Sequence, residues 1–351
     1  MKVIHIADTH LGASPHQDNS WGINREKELW QAIERVVHIA QEKKADLLLI
    51  AGDMFHRQPL VRELKELNYV FAQLTHTKVV FIAGNHDYMK ENSYYKTFVW
   101  AENVFCLKSQ ECESVYFPEL NVEIYGLSYY HYEIRENLYA PIQIKNNNRI
   151  NILLAHGGDE KHIPFSKTQL GSKGFDYIAL GHIHIPAVLI PDRMAYAGAL
   201  EPMDSNEEGP HGYIEVQLDE KKSNATFVPC AKREYITLEI QSDSSFTNTK
   251  LYQTIQETIK SRCSANSFIK IIIKGYKDED IVYDLEDVYK MGLVVSVLDL
   301  SEPDYDFDKL ATYYNRNIIG KFIQNLKSDT MSEVKKKALY YGVKAMLDEM
   351  R

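Results

Sequence analysis

Cysteine is scarce in this 351-residue chain: there are four, Cys106, Cys112, Cys230 and Cys263, and none stands at C-x-x-C spacing. That excludes a thiolate zinc site or a dithiol redox centre, and leaves buried or incidental thiols expected to stay reduced. Long apolar runs are missing as well. No window approaches the ~20 uninterrupted apolar residues that a bilayer span needs, and "MKVIHIAD" at the start lacks a basic leader and apolar h-region, so no membrane association and a cytoplasmic location are expected. Positive charge is in deficit: 40 Lys and Arg face 49 Asp and Glu, a formal net charge of -9. This weighs against indiscriminate nucleic-acid binding, because phosphate contacts normally come with basic surface; a local groove, bound cations or a partner subunit can still reverse the sign where it matters.

What is present is ordinary globular material, 44% apolar and 25% charged, in a chain long enough for two domains and a terminal appendage. "VIHIAD", "ADLLLIAGD" and "KVVFIAGNHD" read as buried strands. Between them, Leu29, Ile33, Val36, Val37 and Ala40 form one helical stripe, with Asn24 as its expected N-cap, and Leu64, Leu67, Phe71 and Leu74 form a second. This is α/β logic. After residue 100 the strands "NVEIYGLSY", "RINILLAHG", "FDYIALGHIH", "MAYAGAL" and "GYIEVQLD" predict a second sheet packed on the first, with helices outside. The polar stretch "LDEKKSNATFVPCAKREY" ends this first domain, 1–229. Residues 230–302 read as a small β-α-β-α-β domain with no visible chemistry, and 303–351 as two helices, the last with an apolar side suited to docking on its own chain.

The histidines and aspartates fall at strand ends. Asp8 and His10 end the first strand, Asp53 the second, Asn85 and His86 the third; His156 ends "NILLAHGG", and His182 and His184 close "IALGHIH". Ligands of open sheets gather outside the C-terminal ends of strands, so these groups are expected to share one cleft. His5 and His38, inside apolar or helical patterns, are expected to be packing residues instead. Mixed carboxylate, amide and imidazole donors favour divalent manganese, iron or zinc over an all-oxygen magnesium or calcium site, and there are too many for one tetrahedral zinc.

Through these motifs the sequence resembles the calcineurin-like metallophosphoesterase superfamily. Its D-x-H, G-D, G-N-H-[DE], later H and G-H-x-H motifs are matched in order by Asp8 and His10, Gly52 and Asp53, Gly84 to Asp87, His156, and Gly181 to His184. The resemblance implies a four-layer α-β-β-α sandwich with a smaller α/β capping, DNA-binding domain and C-terminal helices. Within the superfamily the chain is similar to the SbcD branch of double-strand-break repair nucleases, through "HIADTHLG", "AGDMFHRQ" and "MAYAGALEPM", although Ala199 stands where that branch has Ser and "EEGPHGY" follows.

That resemblance implies two divalent ions, Mn2+ first and Fe2+ or Zn2+ as alternatives. One would be held by Asp8, His10, Asp53 and His184, the other by Asp53, Asn85, His156 and His182, with Asp53 bridging; such ions supply a nucleophile by lowering the pKa of a water. His86 would protonate the leaving oxygen, with Asp87 expected to orient its ring and His56 a second histidine near the scissile bond. Arg57, Lys90, Asn92 and His16, beside the aromatic-rich "DYMKENSYY", are the candidate nucleic-acid contacts. The implied partners are DNA, an SbcC-like coiled-coil ABC ATPase and a second copy of the chain. The alternatives are a small-molecule phosphodiesterase or phosphatase of the same superfamily and a non-catalytic scaffold that keeps metals for folding.

Overall fold

The computed structural model describes residues 1–16, 22–219, 223–328 and 330–350. They form two compact units, Met1–Ile236 with Asn266–Phe268, and Thr237–Ala265 with the chain from Ile269 onward.

The first unit is built on two six-stranded sheets. In one, β1 (Lys2–Ile6), β2 (Leu47–Ala51), β3 (Lys78–Ile82) and β4 (Val104–Cys106) run parallel. They alternate with α1 (Arg25–Lys43) and α2 (Val61–Ala72). The other holds β5 (Glu113–Phe117), β6 (Val122–Gly126), β7 (Ile150–His156), β8 (Tyr177–Gly181), β9 (Ala187–Ile190) and β10 (Met194–Tyr196), in the order β5-β6-β7-β8-β10-β9. The short α3 (Lys167–Gly171) precedes β8. β11 (Gly212–Leu218), expected in the second sheet, instead returns to the first, where it lies antiparallel to β1. β12 (Ser223–Pro229) follows on its far side, so part of the stretch read as a polar connection is an edge strand, while 220–222, near its start, lie outside the described residues.

Period-2 alternation explains the layers. Ile4, Ile6, Leu48, Ile50, Val79 and Phe81 turn toward α1 and α2, and Val3, Ala7, Leu47, Leu49, Ala51, Val80 and Ile82 fill the space between the sheets. The outer face of the second sheet is covered by α3 and the loops carrying Tyr129, Ile134, Tyr139 and Ile142, a thin fourth layer in an α-β-β-α order. On three strands the side chains between the sheets shrink toward the ligand end, from Val3 on β1 to Ala7 just past it, from Leu47 to Ala51 on β2, and from Tyr177 through Ala179 to Gly181 on β8, while β3 and β7 keep Ile82 and Leu154. A Cβ on Gly181 would stand 2.0 Å from the Ala51 carbonyl oxygen, so the sheets converge there. His5 packs as expected, its Nδ1 2.9 Å from the Tyr177 hydroxyl, and burial lowers its pKa to about 3, leaving it neutral.

All five stripe residues of α1 are buried. Asn24 does not cap it. A 3-10 turn, Gly22–Asn24, runs straight into α1, so Asn24 already has helical dihedrals (φ -91°, ψ -2°) and its side chain caps nothing.

The second unit contains most of a sheet of β13 (Glu234–Ser242), β14 (Ser267–Lys277), β15 (Leu293–Asp299) and β16 (Glu302–Pro303), with α4 (Asn248–Arg262) after its first strand. The expected second helix of this domain is a single 3-10 turn, Asp287–Lys290. The tail forms three helices rather than two: α5 (Phe307–Tyr313), α6 (Ile318–Leu326) and α7 (Glu333–Asp348). Asn317 makes the extra break, its Oδ1 accepting from the Ile319 amide at 2.9 Å as an N-cap. Ile319, Ile323, Leu339 and Val343 close a small core among them. Among the described residues no helix is long and apolar enough to cross a membrane.

Candidate metal centre

The parallel strands β1, β2 and β3 of one sheet and β7 and β8 of the other end at one edge, and every predicted ligand sits there. The backbone is bent to bring them in. Of nine described non-glycine residues with positive φ, four are candidate ligands: Asp8 (50°), His10 (45°), Asp53 (49°) and His182 (98°). Each such residue costs about 1–3 kcal/mol, tolerated where the surroundings over-determine the conformation. Gly84 has a different reason: a Cβ there would stand 2.2 Å from Asp53 Oδ1, so a side chain would displace the central carboxylate.

Ring-nitrogen partners fix where the lone pairs point. His156 Nδ1 donates to the Ala51 carbonyl at 2.8 Å, turning Nε2 toward Asn85 Oδ1 at 2.9 Å and Asp53 Oδ2 at 3.4 Å. His182 Nδ1 also faces Asn85 Oδ1, at 3.1 Å. On the other side, His184 Nε2 faces His10 Nε2 at 3.0 Å, with Asp53 Oδ2 3.9 Å from the latter. Asp8, His10 and His184 form one tight group of donor atoms; Asp8, Asp53 and His156 form another. Imidazole nitrogens, carboxylates and an amide oxygen thus converge within hydrogen-bond distance of one another, a mixed donor set that fits the divalent ions implied by its chemistry.

Burial and neighbouring charge pull the site's histidines in opposite directions: burial lowers His10, and lowers His182 to about 4. Burial would lower the pKa of His156 and His184, but the Asp53 carboxylate beside the first and the Glu207 hydrogen bond to the second outweigh it and raise both to about 9. Burial lifts Asp8 to about 6 despite the nearby imidazoles. Burial also opposes ionisation of Asp53, yet His156, His10 and His86 around it hold its carboxyl well below the usual range.

His86 lies at the mouth, its backbone N–H donating to Asp53 Oδ1 at 2.8 Å. Its ring stacks on His56 at 4.9 Å and meets the edge of His10 at 4.8 Å. His56 Nδ1 is also 3.3 Å from His10 Nδ1. The expected orienting role of Asp87 is corrected here. His86 Nδ1 is paired with the His56 carbonyl oxygen at 3.1 Å, whereas the buried Asp87 carboxylate accepts from the amides of Gly84 (2.8 Å) and Phe55 (3.1 Å) and from the Tyr95 hydroxyl (2.8 Å). Asp87 therefore ties the two ligand loops together rather than setting the His86 tautomer.

An open cleft of about 350 Å3 borders His10, His56, His86 and His184 and continues past Ser14 and Pro15 to Asp204 and Glu207. Of the nucleic-acid candidates, Arg57 is engaged in a bidentate pair with Glu63 (2.6 and 3.0 Å). His16 contacts the Tyr235 hydroxyl, Lys90 is half-buried and Asn92 is exposed. In "DYMKENSYY", Tyr95 is core and Tyr94 exposed, on a 3-10 turn. Three residues near the site escape the sequence motifs: Tyr132, whose ring lies 5.6 Å from that of His86, and the carboxylates Asp159 and Glu207 behind the G-H-x-H histidines.

A model of the calcineurin-like phosphoesterase family matches residues 1–186. Three curated proteins are similar over most of the chain. An uncharacterized metallophosphoesterase of Bacillus subtilis, YhaO, is 25% identical, covering 79% of this chain and 72% of its own length. DNA double-strand break repair protein Mre11 of Saccharolobus solfataricus is 25% identical, covering 96% of this chain and 98% of its own. The D chain of the nuclease SbcCD of Staphylococcus epidermidis is 24% identical, covering 99% of each.

Proposed function

Because the chain belongs to the calcineurin-like phosphoesterase family, we propose that it is a two-metal phosphodiester hydrolase that cleaves DNA, an exonuclease with endonuclease activity, working beside an SbcC-like coiled-coil ATPase. The observation that carries the hydrolase is the pair of donor groups that share Asp8, one of them containing Asp53, beside the half-buried imidazole of His86. DNA as substrate is supported by two relatives named for double-strand break repair and SbcCD nuclease, whose similarity extends through the second unit.

Asp8, His10, Asp53 and His184 would hold one divalent ion, and Asp53, Asn85, His156 and His182 the other, with manganese favoured for this mixture of oxygen and nitrogen donors. Bound there, the ions would lower the pKa of a water to yield the nucleophile and offset charge on the phosphate. His86, held by its own amide on Asp53 and by Nδ1 on the His56 carbonyl, turns Nε2 outward, where the ring in its imidazolium form would deliver the Nε2 proton to the departing oxygen. His56 supports that ring by stacking.

A second reading, hydrolysis of small phosphodiesters, is favoured by the modest cleft and the acidic Asp204 and Glu207 along it. One experiment separates the two. A 3'-labelled duplex, single-stranded DNA and bis(p-nitrophenyl) phosphate are each incubated with manganese, with chelator, and with His86→Ala. DNA cleavage that needs manganese is expected, with His86→Ala binding manganese yet losing roughly 10²–10⁴-fold in rate. Cleavage of the diester alone, with DNA intact even when the ATPase is supplied, overturns the nuclease reading; unchanged activity of His86→Ala overturns its role as acid.

A further inference from the structure

The two G-H-x-H histidines are gripped from behind by carboxylates that belong to none of the motifs. His184 Nδ1 stands 2.6 Å from Glu207 Oε1, and His182 Nε2 stands 2.8 Å from Asp159 Oδ2. Each contact uses the ring nitrogen turned away from the donor cluster, while the inward nitrogen, Nε2 of His184 or Nδ1 of His182, faces the other ligands. A neutral imidazole carries one N–H; a carboxylate that accepts it leaves the lone pair on the opposite nitrogen. The two histidines thus need opposite tautomers, and each has its own acceptor.

Both acceptors are fixed in place. Glu207 is buried: Oε2 accepts from the Met203 amide at 2.8 Å, and the Glu207 carbonyl oxygen lies 3.1 Å from Nε2 of the buried His211. His211 reaches the Ala199 carbonyl with its other nitrogen at 2.9 Å, and the Ala199 amide donates to the His184 carbonyl at 2.8 Å. "EEGPHGY" and Ala199, left without a role by the motifs, therefore form a closed bracket around His184. Asp159 Oδ1 accepts from the amides of Lys161 (2.7 Å) and His162 (2.9 Å), and Oδ2 faces His182 with the His162 ring Nδ1 also 2.9 Å away.

We propose that Glu207 and Asp159 are positioning residues, one for each half of the two-metal site, which set opposite tautomers so that His184 presents Nε2 and His182 presents Nδ1 to the ions. The inference rests on the two-metal reading above. Its test is a manganese titration of the metal-stripped full chain, followed by calorimetry and electron paramagnetic resonance, with the melting temperature of each metal-free protein recorded alongside.

Wild type is expected to bind two manganese ions. Glu207→Ala weakens one of them and Asp159→Ala the other, each by about 10–100-fold. Glu207→Gln and Asp159→Asn, whose amide oxygen still accepts the ring proton, recover part of the loss. His162→Gln, which removes the other ring resting on Asp159, leaves both affinities near wild type. The proposal is overturned if wild type binds two ions and the alanine variants bind them equally well, or if both sites weaken together with a fall in metal-free melting temperature. Loss in His162→Gln equal to that in Asp159→Ala removes Asp159 from it. A wild type that binds fewer than two ions overturns the two-metal reading itself, and this inference with it.

Discussion

Tyr132 is half exposed, with its ring edge-on to His86. An aromatic face beside the proposed acid suits an unpaired base, since base stacking on such rings contributes about 1–3 kcal/mol. Tyr132→Ala is therefore expected to raise KM for a single-stranded oligonucleotide by about tenfold, Tyr132→Phe to preserve it, and neither to change KM for bis(p-nitrophenyl) phosphate; steady-state kinetics on the two substrates check this. The seven candidate ligand positions were legible in the sequence because strand ends advertise them: an apolar run that stops at Asp53 or His156 delivers a polar donor to the one edge where such donors can meet. Tyr132, Asp159 and Glu207 were not. In "SYYHYE", "GGDE" and "NEEGP" they look like loop residues, and what distinguishes them is contact with histidines up to 46 positions away in Tyr132's case and 23 in the others.

At the scale of elements, α1 is fastened by an ion cluster as well as by its apolar stripe. Arg25, fully buried, pairs with Glu28 at 2.9 Å and donates to the Pro202 carbonyl at 2.6 Å, while Lys232 (2.9 Å) and Arg233 (2.6 Å) reach the same Glu28 carboxylate. Glu28→Ala leaves these cations without their shared anion and is expected to cost about 3–5 kcal/mol in urea unfolding. Burial opposes ionisation of Glu28, but hydrogen bonds from Arg233, Lys232 and Arg25 outweigh it and bring the carboxyl from 4.5 down to about 2. Because the folded value lies below the unfolded one, this contribution is complete above about pH 4.5 and disappears as the pH falls toward 2. Stability measured across that window should drop less steeply in Glu28→Gln than in wild type. The stripes of α1 and α2 were readable from spacing, whereas the missing Asn24 cap and the break at Asn317 were not, because either asparagine could cap and the backbone entering the helix decides which does.

At the scale of the molecule, the candidate metal donors among the described residues all belong to the first unit. A cation that binds the folded state stabilises what it touches, by about 2.7 kcal/mol at a hundred times its dissociation constant. Manganese is therefore expected to slow amide exchange at the C-terminal ends of β1, β2, β3, β7 and β8 and leave Thr237–Ala265 unchanged, a contrast that exchange mass spectrometry reads directly. The sheets carry a further consequence. On β1, β2 and β8 the side chains between them dwindle to alanine and glycine near the candidate ligands, and a Cβ on Gly181 would stand 2.9 Å from that of Ala7. Volume added at that narrow end is expected to push the candidate ligands of the two sheets apart. Ala179→Val, remote from any phosphate, should cost about 1–3 kcal/mol by overpacking and also weaken the magnetic coupling of a bound manganese pair, making core volume a determinant of the chemistry at the rim.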